Sequence, residues 1–150
     1  MSDFRHAFNT FNAELTNQPW DYTTDGRTLT VIPAGLPHAE PGQAEIMIRI
    51  TESHTRAAEA GITTSDMPGL LAVLAGHNTW SHTTFLGDRI SLAPAGAGGV
   101  VLMVVEVGYA SSDPASRYET IVTVHLPGEQ RMPLAAALRR AADVARSWED

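Results

Sequence analysis

The sequence predicts an α+β fold in which an antiparallel sheet of about five strands carries helices on one face. Three observations lead there. Apolar residues recur at helical spacing at the start, middle and end of the chain. Alternating or continuous apolar runs of strand length lie between those segments. The breaks that join them are short, and no shift in composition divides residues 1–150 into more than one domain.

The first helix is predicted from Phe4, Phe8, Phe11 and Leu15, one amphipathic stripe with Ser2 as its cap and Asn17 and Pro19 at its end. Trp20 and a polar turn with Asp25-Gly26 follow. Residues 27–32 alternate, Leu29 and Val31 against Thr28 and Thr30, and predict a strand. After a Pro/Gly-rich loop over 33–42, residues 45–51 predict a second strand. Its Ile46, Ile48 and Ile50 face one way, Met47 and Arg49 the other. Residues 53–63 suit a short helical turn at 55–60 closed by Gly61. Ser65 or Asp66 then opens a helix that tolerates Pro68 in its first turn, buries Leu70, Leu71 and Leu74, and stops at Gly76. Three strands are predicted over 89–92, 100–107 and 118–126. The middle one is apolar on both faces, as a central strand is. A hairpin turn joins the first two, and a flexible connection over 108–116 precedes the third. The closing helix, over 133–148, presents Leu134, Leu138, Ala141, Ala145 and Trp148 along one stripe.

The two halves echo each other. Trp20-Asp-Tyr-Thr23-Thr24 matches Trp80-Ser-His-Thr83-Thr84. After a slip of one residue, the stretch Gly26 to Gly35 matches Gly87 to Gly96, including Leu29 with Ile90 and Val31 with Leu92. The echo describes a helix–tryptophan–hairpin unit whose two copies stack to bury their apolar faces, the alternative being chance similarity between two helix-to-hairpin passages.

Composition bounds the chemistry. The chain has 43% hydrophobic and 18% charged residues, which suits a globular core rather than disorder. Without cysteine there is no disulfide, thiolate metal site or cysteine nucleophile, and the absence suits a cytoplasmic protein. The first residues form no signal peptide, and the longest apolar run, 100–105, is far shorter than the roughly 20 residues that span a bilayer, so no membrane partner is expected. The net charge of −7 argues against nucleic acid as a partner, since phosphate backbones call for clustered cations. Arg139, Arg140 and Arg146 on the last helix stand among Asp143, Glu149 and Asp150 and form a solvated helix face.

No motif assembles catalytic or cofactor chemistry, and no cofactor or metal is expected. Pro33-Ala-Gly35-Leu-Pro-His38 resembles the second metal motif of the cupins, but the upstream His-x-His is missing. His77 and His82 lack zinc-pair spacing, Glu52 and His54 form at most one acid–base pair, and no Gly-x-Ser-x-Gly elbow occurs. The Gly96-Ala-Gly98-Gly99 run leads into a strand rather than a phosphate-holding helix. Alternation instead assembles a mixed outer sheet face. Met47, Leu102, Val104 and Ile121 lie there with Arg49, Glu106, Glu119 and His125, and the helix-end loops around Trp80 are the other candidate binding surface. Such a face suits either a protein interface or a sheet face partly covered by the long loops.

The helix at Leu70-Leu71-Ala-Val-Leu74 running into Gly76-His77-Asn78-Thr-Trp80, together with the closing strand 120–126, Gly128 and the last helix, resembles the type III secretion chaperone-like fold, including YbjN-like proteins. That resemblance implies a non-enzymatic protein that dimerises and binds other proteins. The expected function is therefore a protein-binding module of chaperone, adaptor or immunity type, with a protein or a second copy (a homodimer) as partner. One alternative is a ligand-binding protein or enzyme with a cleft between loops 33–42 and 77–88, using His38, His77 or His82. Another is a phage or secretion assembly subunit.

Overall fold

The computed structural model describes residues 20–34, 37–76 and 78–150; the helix predicted over 4–15 and His77 lie outside them. The described chain forms two antiparallel four-stranded sheets, each followed by a helix, in place of one sheet of about five strands. Strands β1 (Trp20–Thr24), β2 (Arg27–Pro33), β3 (Glu45–Ser53) and β4 (Arg56–Thr63) pair consecutively and lead into helix α1 (Met67–Ala75). Strands β5 (Trp80–Thr83), β6 (Arg89–Pro94), β7 (Val100–Tyr109) and β8 (Arg117–Leu126) pair in the same order and lead into helix α2 (Arg131–Arg146).

The echo is a structural equivalence. Trp20 opens β1 opposite Val31, and Trp80 opens β5 opposite Leu92. Leu29 faces Tyr22 as Ile90 faces His82. Among the described residues the repeating unit is four strands and a following helix, rather than a helix, a tryptophan and a hairpin. The segments read as a polar turn after Trp20 and a helical turn at 55–60 are β1 and most of β4. Of residues 108–116, read as a flexible connection, Gly108 and Tyr109 extend β7 in a ladder that runs to Tyr109 opposite Arg117, and the rest form an ordered turn. Asp113 and Ser116 close its turn: the Asp113 carboxylate accepts from the Ala115 N–H at 2.9 Å, and the Ser116 hydroxyl donates to the Asp113 carbonyl at 2.6 Å.

Alternation decides the inner faces. Leu29, Val31, Ile46, Ile48, Ile50 and Ile62 from the first sheet and Ile90, Leu92, Leu102, Val104, Val122 and Val124 from the second are all buried in one continuous core. Helix α2 lies on β2 and β3 and against α1. Its buried positions are Leu134, Leu138 and five alanines, small side chains that let the helix approach the sheet while favouring helix. Leu134, Leu138, Ala141, Ala145 and Trp148 are buried along the stripe predicted for them.

Two polar devices hold this arrangement. The Arg131 guanidinium, at the start of α2, donates to the Leu74 carbonyl at 2.5 Å and to the Gly76 carbonyl, satisfying acceptors that the end of α1 leaves open. Past α2, the chain pairs Glu149 with Ala39 in a parallel bridge. The Glu149 carboxylate accepts from the Thr64 hydroxyl at 2.5 Å and the Ala44 N–H at 3.2 Å. The Thr64 bond first, then the Gly42 and Ala44 amides and Arg146, hold the Glu149 carboxyl below the usual carboxylate range against the opposing effect of burial.

Candidate functional site

The structure separates the residues expected on one mixed face. Met47 and Arg49 lie on the outer face of the first sheet, Ile121 and His125 on the outer face of the second. Leu102 and Val104 do not face outward: they are 2% and 0% exposed, opposite the equally buried Val124 and Val122. The residues on the outer side of β7 are Val101, Met103 and Val105. Glu106 turns toward the first sheet, where its carboxylate accepts the Glu59 N–H at 2.9 Å. Arg49 is neutralised by Glu59 at 2.6 Å, and Glu119 by Arg117 at 3.2 Å. Trp80 is half-buried, stacked on His82 at 6.2 Å.

The loop-cleft alternative does not assemble either. His38 is exposed and sits against Asp150 at 2.8 Å. His82 stands 3.5 Å from Asp66, itself held by the Thr63 hydroxyl at 2.7 Å. The tip of the β5–β6 hairpin faces β3 and β4 rather than the 33–42 loop. Glu52 pairs with Arg27 and Arg56, not with His54.

What sequence reasoning missed is that hairpin tip. In the first sheet, β1 and β2 are joined by Asp25-Gly26, with φ of 50° and 75°, the residue pair that a two-residue hairpin turn favours. At the equivalent place in the second sheet, the loop inside Thr84 and Asp88 is Phe85-Leu86-Gly87. This one extra residue is the slip in the sequence echo. Gly87, at φ 99°, supplies the left-handed position of a three-residue hairpin. Turn tips favour polar residues, yet Phe85 is 102% exposed and Leu86 74%.

The tip is braced. The Thr84 N–H donates to the Asp88 carbonyl at 2.8 Å and the Gly87 N–H to the Thr84 carbonyl at 3.0 Å. The Asp88 carboxylate accepts the Val107 N–H at 2.8 Å, tying the tip to the long β7–β8 hairpin. A Cβ on Gly87 would lie 3.4 Å from both the Arg117 guanidinium and the Val107 side chain. Tyr109 stands opposite Arg117 in the ladder and is 54% exposed. Tyr118, 53% exposed, lays its ring across Gly108, where a Cβ would come within 2.6 Å of it. One end of the second sheet therefore carries three exposed aromatic rings: Tyr109 on the face of Arg117, Tyr118 on the opposite face, and Phe85 on the hairpin tip. Arg89, at the start of β6, has no carboxylate partner among the described residues. Chemically, this is a stacking surface with cations at its margin.

No protein-family model matches the chain, and no characterised protein matches it in sequence. The fold does have counterparts. It is similar to WHY1 from Arabidopsis thaliana, with a TM-score of 0.62 at 11% identity over 87% of this chain and 91% of that one. It is also similar to MRP1/MRP2 from Trypanosoma brucei, with a TM-score of 0.53 at 15% identity over 90% of each. The likeness is one of fold.

That likeness overturns the resemblance to type III secretion chaperones and YbjN-like proteins. With it fall the protein-binding module of chaperone, adaptor or immunity type, the partner it implied, and both alternatives. The exclusion of nucleic acid falls too. It rested on net charge and on a single arginine cluster interspersed with acids, and neither registers exposed rings or isolated arginines elsewhere on the surface. The order of helices and strands misled because a twice-repeated four-strand unit and a single helix-covered sheet share much of their element sequence.

Proposed function

We propose that this chain binds single-stranded nucleic acid, without catalysing a reaction on it, through the end of the second sheet. The observation that carries this reading is Phe85, fully exposed on a braced hairpin tip whose Gly87 lies against Arg117, at the end of the sheet where Tyr109 and Tyr118 are also exposed, one on each face. A folded domain gains nothing from an aromatic ring in solvent, whereas a ring held at a fixed place offers a stacking face at little ordering cost. Base–aromatic stacking contributes roughly 1–3 kcal/mol per base and is indifferent to net charge. That reconciles the surface with an acidic chain: stacking supplies the affinity, while Arg89, and Arg117 in exchange for its pairing with Glu119, meet the phosphates. Duplex DNA hides its base faces, so the reading implies preference for single strands.

The test is fluorescence anisotropy with a labelled 15-nucleotide oligo(dT) and the matching duplex. The chain is expected to bind the single strand at least tenfold more tightly. Replacing Phe85-Leu86-Gly87 by Asp-Gly copies the turn of the first sheet and is expected to keep the fold and remove the binding. Equal affinity for duplex and single strand, or unaltered binding by this variant, would refute the reading.

A further inference from the structure

Beside the stacking surface, the outer faces of β3 and β4 and the β5–β6 tip enclose an open-sided groove of about 330 Å³. Its walls are Met47 on one side and Phe85 and Leu86 on the other. Part of its floor is Gly61, opposite Met47 in the ladder, and Gly61 presents no side chain to fill the space. The groove has the size and the apolar walls to take one flat heteroaromatic ring, with Phe85 reachable both from it and from the surface outside.

Its polar side chains are four carboxylates and the Thr84 hydroxyl, which accepts the Asp88 N–H at 3.1 Å; three of the carboxylates are already committed. Glu59 holds Arg49, Glu106 holds the Glu59 N–H, and Asp88 holds the Val107 N–H. Glu45 is an exposed residue at the groove's open side: among the described residues its carboxylate makes no hydrogen bond or ion pair and is left to solvent or a ligand, and it lies over Gly61, 3.2 Å from where a Cβ would stand. A carboxylate only accepts hydrogen bonds, and its two oxygens suit two adjacent donors. Guanine alone among the bases offers that pattern on its Watson–Crick edge, N1–H beside the N2 amino group. Adenine and cytosine set a ring-nitrogen acceptor beside their amino group, and thymine and uracil flank one N–H with two carbonyls. A phosphate is repelled by the same acids, so the groove takes a base and leaves the backbone outside.

The geometry points to a guanine pocket: a guanine unstacked from a single strand enters between Met47 and Phe85, and its N1–H and N2 amino group donate to the Glu45 carboxylate. This rests on the nucleic-acid reading above and adds base selectivity to it. The probes are a 13-nucleotide oligo(dT) and the same strand with one central dG, dA or dC, measured by anisotropy at fixed salt. A single guanine cannot form four-stranded structures, so any gain belongs to recognition. The dG strand is expected to bind about tenfold more tightly than the others, the discrimination of one good bidentate contact. Glu45→Gln is expected to remove that preference and leave oligo(dT) binding unaltered, because Glu45 lies outside the stacking surface. Gly61→Val, which fills the floor, is expected to do the same. If all four strands bind equally, or if Glu45→Gln keeps the preference, the pocket is refuted while strand binding stands. If no strand binds, both readings fail together.

Discussion

The Thr64 hydroxyl and the Glu149 carboxylate, 85 residues apart, meet at 2.5 Å and fasten the chain after α2 to the passage from β4 into α1. Thr64 is 4% exposed, a buried polar side chain whose hydroxyl finds its acceptor there. Because the Glu149 carboxyl is held below the usual carboxylate range in the folded state, the unfolded chain binds more protons in the window between the two values. The contribution is complete above the ordinary carboxylate pKa and disappears as pH falls through the depressed one. Urea midpoints between pH 7 and pH 3 are expected to fall more for the wild type than for Glu149→Gln. At pH 7, Glu149→Ala is expected to cost about 1–3 kcal/mol, since it strands the Thr64 hydroxyl.

Leu102 and Ile121 separate core from surface on neighbouring strands. Leu102 is 2% exposed and Ile121 45%. Leu102→Ala is expected to cost about 2–5 kcal/mol, and Leu102→Asp to prevent folding by burying an unpaired charge. Ile121→Asp is expected to stay within about 1 kcal/mol of wild type. Denaturant unfolding followed by circular dichroism measures all three.

Arg131 stabilises α1 from another helix, so its loss is expected to loosen a distant segment. Arg131→Met leaves the Leu74 and Gly76 carbonyls without this donor and is expected to lower stability by about 1–3 kcal/mol. Arg131→Lys is expected to restore only part of it, because an ammonium does not reproduce the guanidinium fork. Hydrogen exchange is expected to accelerate in the last turn of α1 before it does in β7.

Salt dependence tests the arginines of the proposed surface. Each phosphate released by a variant lowers the slope of log K against log salt by about 0.7 for single strands. Arg89→Ala and Arg117→Ala are each expected to reduce the oligo(dT) slope by about that amount. Arg139→Ala, on the exposed side of α2, is expected to leave it unchanged. Titrations from 50 to 300 mM NaCl distinguish these outcomes.

Several elements were legible in sequence because one face of each is buried. The isoleucines of β3, the leucines of α1 and the stripe of α2 all carry their period plainly. β7 does not, since its residues are apolar on both faces; alternation alone leaves two assignments for Leu102 and Val104, and pairing with β8 decides between them. β4 reads as helix because Ala57, Ala58 and Ala60 favour helix, but Ala58 and Ala60 lie buried where β4 pairs with β3. β1 and β5 are short and half-polar, which hid the second sheet. The site was present in the echo as a one-residue slip, and its meaning needed the two hairpins side by side.

The contact between the sheets also governs their edges. Glu106 occupies the Glu59 N–H on β4, and Arg56 donates to the Ile121 carbonyl on β8 at 2.9 Å. Each sheet thus blocks a border of the other with a side chain where an incoming strand would dock. The two sheets stay four-stranded, and a foreign strand meets a carboxylate or a guanidinium instead of a free ladder. The other borders are β1 and β5, only five and four residues long, and edges that short offer a poor template for aggregation.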